Sequence, residues 1–593
     1  MQRSCPSGRN RSRIAFHVVC GFWAALPGCQ WAIDDADREV SRLIETRQQR
    51  SLSETREAGI GRDEPLATVS PTARSFTPSP IDSNVPESFQ TPTTQPVTSA
   101  PTTTAPAEAV GPTRTLGLRD ALAIAFARSR EFQTAKEDLY LAALALSLER
   151  HLWTPQFVGE MRANYTNFGQ IQDFDQAAEA VAEVGVQQRL PWGGDVSAQL
   201  ITTLMRDLTE HVTTAETGQA ILSANVPLLR GAGPVAFESR FQAERDLIYA
   251  VRAFERFRRT FAVSIAGDFF DLQRLRQEML NSRESIKIFQ EEVARAEAFQ
   301  EKERLIPLEV QRAEQNLLVS INTEVDAREQ YQTAVDRFKI RLGLPISERI
   351  DVTLPAEPGE AQEDAAAGVD DPLERAMVMP AIDEAGAIRI ALKYRLDLLN
   401  DFDRIGDAER GVDIAQNGLL PDLNASGSVV YDSNPEQLRP YRFDESRATW
   451  QAGLALELPL DRKAERNDLR RSLILKRRAE RAYDIAQDTV RFEVRRAMRR
   501  VEQENTSLQI QSRSRDLAIL RRSHARFLFD RGKVSNREVV EAEDALLNAR
   551  NRLAQAQARV RLAILEFRRD TGTLRINDDG NWVDDLVGAG ATD

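Results

Sequence analysis

The side chains best suited to metal or acid–base chemistry are sparse in this 593-residue chain. Its four histidines, His17, His151, His211 and His524, follow no metal-ligand spacing. Its three cysteines, Cys5, Cys20 and Cys29, all lie within the first thirty residues, so the body of the chain holds neither a disulfide framework nor a thiolate site. A lone Gly-x-Gly in "RGAGP" (Arg230–Pro234) lacks the third glycine and the βαβ setting of a nucleotide loop; it reads as a strand-to-helix turn. The seven methionines are unclustered, which gives no sign of soft-metal handling. No catalytic residue, metal or cofactor is expected, and the chain is read as not an enzyme. With 90 acidic against 78 basic residues the net charge is −12, the wrong sign for a nucleic-acid partner, whose phosphates call for clustered Lys and Arg in excess.

The charges instead alternate at helical spacing, as on a solvated helix face, and 28% charged with 7% aromatic residues suits extended helices. Near the C-terminus, large apolar residues recur at Val539, Leu546, Leu553, Val560 and Phe567, and alanines at Ala542, Ala549, Ala556 and Ala563. This is a strict heptad repeat. It predicts a helix packed closely on two neighbours, with one large and one small seam. Moving back 229 residues gives Ala313, Ser320, Ala327 and Ala334 on the small seam and Leu317, Tyr331 and Phe338 on the large one, interrupted by Glu324.

The chain begins with a basic stretch and a short apolar run, a signal peptide over residues 1–28. Within it "LPGC" (Leu26–Cys29) resembles a bacterial lipobox and makes Cys29 a candidate for lipidation; the absence of Asp at the next position then implies the outer membrane. Residues 29–113 read as a tether, rich in Thr, Pro and Ser from residue 51. An acidic, proline-bearing linker at 355–380 separates a first unit, 114–354, from a second, 381–576, and 577–593 form a tail.

The two units repeat each other. "ALAIAFARSREF" from Ala121 aligns with "AIRIALKYRLDL" from Ala387 at an offset of 266, which also places Pro155 on Pro421. At the far end an offset of 229 superimposes "EVQRAEQNLL" on "EVVEAEDALL" and Gly343 on Gly572. Between these arms the period falls to two, predicting strands near Phe157–Asn167, Glu183–Trp192, Val196–Leu208 and Ala220–Leu229, then after Pro421 and at Trp450–Leu460. Long helices are expected at about Pro234–Arg304 and Arg462–Arg531, with a tight turn at Leu190–Asp195 and longer loops at Gly169–Ala182 and Thr209–Gln219.

The repeat, the prolines at the helix-to-strand joints, "FLFDRGKVSNREVVEAEDALLNAR" (Phe527–Arg550) and "FRRDTGTLRI" (Phe567–Ile576) together resemble the TolC-like outer membrane efflux protein family over about Leu116–Ile576. The resemblance implies a mainly α fold with a transmembrane β-barrel portion, in which a duplicated helix–strands–helix unit forms a long coiled-coil α-barrel closed by trimerisation. It implies a passive exit duct in tripartite efflux or type I secretion, working with a periplasmic adaptor and an inner-membrane pump, and set in outer-membrane lipid. It also places a helix turn near Gly532 and gate carboxylates at Glu538 and Glu541, matched in the first unit by Glu309 and Arg312, with Pro307 at that unit's turn. Members usually contribute four strands per protomer, whereas this sequence suggests six. The other reading is a lipid-anchored coiled-coil spacer without a pore, which has no use for the alternating strands.

Overall fold

The computed structural model describes residues 29–52, 114–167, 176–207, 214–301, 306–354, 377–434, 440–577, 580 and 582–583. The expected signal peptide, most of the tether, the linker as far as residue 376 and the last ten residues lie outside the described residues.

The elements run α1 (Cys29–Leu52), β1 (Arg114–Leu116), α2 (Leu118–Arg128), α3 (Arg130–His151), β2 (Gln156–Asn167), β3 (Gln176–Arg189), β4 (Asp195–Asp207) and β5 (Thr214–Pro227). They continue with α4 (Glu238–Glu301), α5 (Pro307–Leu342), β6 (Ile350–Val352), α6 (Glu384–Tyr394), α7 (Leu396–Asn417), β7 (Asp422–Ser433) and β8 (Phe443–Glu457). The chain ends in α8 (Lys463–Asp530), α9 (Asn536–Asp570), β9 (Arg575–Ile576) and β10 (Trp582–Val583).

The repeat is written into these bounds. Adding 266 to the limits of α2, α3 and β2 gives those of α6, α7 and β7, and adding 229 to the start of α5 gives that of α9. In both units a helix stops a few residues before proline, at Pro155 and Pro421, and a strand begins directly after it, because the residue before proline is pushed out of the helical region. Gly343 and Gly572, each at φ 74°, end the hairpin helices with paired bonds to the last turn. A side chain at Gly343 would strike the carbonyl of Arg128 at 2.2 Å, and one at Gly572 that of Tyr394 at 3.2 Å. Arg128 and Tyr394 are themselves repeat mates, each at the end of its short helix, so both units close the same corner by the same backbone approach.

The 64 residues of α4 and the 68 of α8 each extend about 100 Å at 1.5 Å per residue. Every position of the α9 heptad named above is buried. Its division of labour, however, differs from the expectation of two seams for two neighbours. Val560, Ala563 and Phe567 share one cluster with Val490, Val494 and Ala497 of α8, and Leu546 and Ala549 share another with Ala518. Large and small positions three apart lie within about 60° on a helix and so form one stripe facing α8. A different stripe, with Ala558, Leu562 and Leu565, meets α4. Glu324, which interrupts the first unit's seam, is buried and pairs with Arg283 of α4 at 2.9 Å.

At mid-length the short elements build the largest apolar core. Parallel β1 and β6, α2, and the aromatic residues Phe261, Phe269 and Phe338 meet there. Trp582, in the segment expected as a tail, is buried in the same core, and β10 pairs with β9. No helix among the described residues is long and apolar enough to cross a membrane.

The long strands form one antiparallel sheet in the order β2-β3-β4-β5-β7-β8. β3 and β5 begin at Gln176 and Thr214, so residues 176–182 and 214–219, expected as loop, are strand. "QAAEAVAE" carries its alternation on alanines, too small a signal to read alone; the ladders to β2 and β4 extend it.

Candidate functional site

The candidate gate residues all sit where α4 turns into α5 and α8 into α9, at the ends of the rods farthest from the sheet. In the second hairpin Gly532 takes φ 68°, and its N–H and that of Lys533 donate to Phe529 and Leu528 carbonyls (2.8 and 3.0 Å). This left-handed cap stops α8. Three residues on, Ser535 caps α9. The Ser535 N–H donates to Glu538 Oε2 (3.0 Å), the Ser535 hydroxyl meets the same oxygen, and together they form a capping box. The hydroxyl contact, helped by the helix N-terminus, holds the Glu538 carboxyl below its ordinary range, so it stays ionised. Glu541 is engaged too, with Arg537 at 2.8 Å and Arg521 at 3.9 Å. "SNRE" carries this box in plain sequence as Ser-x-x-Glu, a signal that the gate reading passed over.

The first hairpin is made differently. Pro307 is the first residue of α5, Ile306 stands at the cap position with no side-chain bond, and Glu309 pairs with Arg312 at 2.8 Å. Proline's fixed φ suits a helix start without needing a capping side chain. Each hairpin thus pairs its own acid and base; the structure of one chain does not bring Glu309 and Arg312 to Glu538 and Glu541.

What does join the hairpins lies slightly above the turns. Glu292 of α4 and Glu543 of α9 are 2% and 4% exposed. Arg526 of α8 stands between them, 3.3 Å from Glu292 and 3.8 Å from Glu543, and also 3.5 Å from Glu291; Arg522 is 4.0 Å from Glu543. Burial pushes the Glu543 carboxyl above its ordinary range, partly opposed by Arg522 and Arg526. Glu292 Oε2 and the Arg522 Nε are buried without a hydrogen-bond partner. Three helices from both units are therefore tied at one half-satisfied ionic node. Glu292 and Arg526 escape a sequence reading because only the packing of α4 on α8 and α9 buries them. Further up, Arg550–Glu284 (2.8 Å) and Asn281–Asn551 (2.8 Å) continue the join between α4 and α9.

Cys29 opens α1, which lies along α3 and α4 over Leu139, Ala143, Leu146, Leu247 and Val251. Asp37 meets Tyr140, and Arg47 pairs with Glu244 (2.7 Å), which also holds Arg150 (3.2 Å). α1 therefore runs parallel to α3. Leu52 is at the end nearer the sheet, and Cys29 stands at the other end, about 35 Å lower by helical rise. Among the described residues no group of His, Cys, Asp and Glu is arranged to hold a metal ion.

Residues 387–573 match the sequence profile of the family described as outer membrane efflux protein. No curated protein sequence matches the chain. Among solved structures, the fold is similar to CusC (TM-score 0.57, 15% identity, covering 80% of this chain and 99% of that one). It is also similar to the Campylobacter jejuni outer membrane channel CmeC (0.56, 13%, 80% and 88%) and to the outer membrane protein VceC of Vibrio cholerae (0.56, 15%, 77% and 96%). At such identities the likeness is one of fold, and it extends over both units, whereas the profile match lies in the second. By that match the second unit is similar to the outer membrane efflux protein family, and by its fold the chain is similar to these outer membrane channels over both units.

Proposed function

We propose that three copies of this chain form a passive exit duct through the outer membrane and across the periplasm, the outer component of a tripartite efflux or type I secretion system. The observation that carries this reading is the sheet. Its edge strands β2 and β8 have no outer partner among the described residues, and one face is apolar from edge to edge, with Phe157 84% and Trp450 79% exposed. Backbone groups left unpaired in lipid are too costly to persist, so such a sheet must close, and closing on identical neighbours removes every edge. A spacer without a pore would have no use for this face.

The rods then extend the barrel into the periplasm, and the hairpin tips are where an adaptor docks and a pump delivers. Around a threefold axis Glu538 and Glu541 repeat three times near the narrow end, giving an acidic ring that favours cations, with Arg312 offsetting Glu309 between them. The Leu26–Cys29 motif supports acylation of Cys29; the lipid would reach the bilayer once the first turns of α1 lift from α3.

A planar bilayer tests the duct and its gate together. Purified trimer should conduct with cation preference, and changing both Glu538→Gln and Glu541→Gln should reduce that preference. A bilayer that stays sealed would refute the duct; conduction with unaltered preference would refute the gate.

A further inference from the structure

We infer that all six long strands stand in the membrane wall, so that three copies close an 18-stranded barrel, three times the six strands of one sheet, with a wide outer-membrane mouth. This rests on the trimeric reading above and goes beyond it, because four strands per protomer would give the same duct a much narrower end.

The hairpin β3–β4 decides the matter, and three observations place it in the wall. First, it lies between β2 and β5 with an unbroken antiparallel register on both sides, Gln156↔Gln187 through Asn167↔Gln176 and Asp195↔Asn225 through Arg206↔Thr214. Second, it continues the apolar face. The register sets Phe157 beside Val186, Val186 beside Ala198, Ala198 beside Leu222, Leu222 beside Val429 and Val429 beside Trp450. Along this face, over residues 157–165, 178–186, 196–204, 216–226, 423–431 and 448–456, the one charged side chain is Glu216, near the far rim. The opposite face carries Glu160, Arg162, Glu183, Gln199 and Gln451. A lipid side and a water side thus run through β3 and β4 as through their neighbours. Third, the lower turn of the hairpin is tied to the joint between sheet and rod. The Gly233 N–H donates to the Trp192 carbonyl (2.8 Å) and the Gly231 N–H to Asn417 Oδ1 (2.7 Å). Gly194 lies so close to β5 that a side chain would meet the Asn225 carbonyl at 2.0 Å. A hairpin folded away from the wall would forfeit the Trp192–Gly233 bond and the close approach of Gly194 to Asn225.

The strands are 12 to 15 residues long, enough to cross a bilayer at the usual tilt. With strands about 4.8 Å apart and tilted about 40°, 18 strands give a backbone diameter of about 36 Å and 12 give about 24 Å. Barrels of about 16–18 strands leave an aqueous channel. After side chains, the mouth has a bore of about 25 Å, room for two helices of about 10–12 Å side by side. Selection of cargo then falls to the tips rather than to the exit.

Interprotomer distances from pulsed electron–electron resonance test this. A nitroxide is placed on Gln451→Cys in a Cys5→Ser, Cys20→Ser, Cys29→Ser background, in detergent-purified protein, and compared with the same protein lacking residues 176–207. Equivalent residues on three protomers should lie about 30 Å apart in the full chain and about 20 Å apart after the deletion, from the same barrel geometry. About 20 Å in both, unchanged by the deletion, overturns the 18-stranded wall while leaving the trimer intact. No interprotomer coupling in either overturns the trimeric duct itself. If the deletion variant fails to fold, the distance in the full chain still decides between the two walls.

Discussion

The two units diverged unequally. At mid-length they correspond residue for residue: Phe338 and Phe567 are repeat mates, both nearly fully buried, and Gly343 and Gly572 share one φ. At the ends they part. The first unit carries four strands and a proline-started tip, the second two strands and a glycine-stopped, serine-capped tip. Where a residue is enclosed on all sides by packed helices, a change of volume or of backbone angle is felt at once, so the copies stay alike. Inserting a hairpin beside an open edge or remaking an exposed turn disturbs few partners, so there they drift.

The equivalence at mid-length is the easiest part to break. Phe338→Ala and Phe567→Ala should each cost about 3–5 kcal/mol, read as a lowered denaturation midpoint of the helical circular-dichroism signal. If one costs less than half the other, the copies are not equivalent in packing, whatever their sequence offset.

The difference between the tips is sharpened by charge. Among the described residues, Arg526→Ala leaves buried Glu292 with only Arg295 (3.5 Å) and buried Glu543 with only Arg522 (4.0 Å) and should cost about 3 kcal/mol, whereas Arg312→Ala removes a pair whose arginine is exposed and should cost about 1 kcal/mol or less. Hydrogen exchange would show the first as lost protection in α4, α8 and α9 together, the second as a local change at the start of α5. Protection lost only in α8 would mean that the node does not couple the two hairpins.

The smallest effect concerns the caps. Ser535→Ala should destabilise the second tip by about 1 kcal/mol, and Ile306→Ser, at an exposed cap position, should stabilise the first by a similar amount. Proteolysis at the turns is a direct measure: susceptibility should rise in the one and fall in the other. A first tip unmoved by Ile306→Ser would show that Pro307 already supplies what a cap can give.

Much of this molecule is legible residue by residue before any coordinates. The offsets of 266 and 229 fix both arms; Pro155 and Pro421 mark where helix becomes strand, because proline acts locally; the heptad Val539–Phe567 names buried positions, because a helix repeats its geometry every turn. The Ser535 cap was equally legible, since a box spans only three residues. Other features are set by elements far apart in the chain. The alanine-carried start of β3 and the polar start of β5 become strand only when neighbouring ladders extend them. The two α9 registers form one stripe because α8 lies against both, and Glu324 finds Arg283 only across the packed pair. Glu292, Arg526 and Glu543 make a site because burial, a collective property of three helices, removes them from water. Sequence alone determined what each segment is, since periodicity, caps and proline act within a few residues; tertiary structure decided which charges are buried and which strands are neighbours, since desolvation and pairing depend on what lies opposite in space.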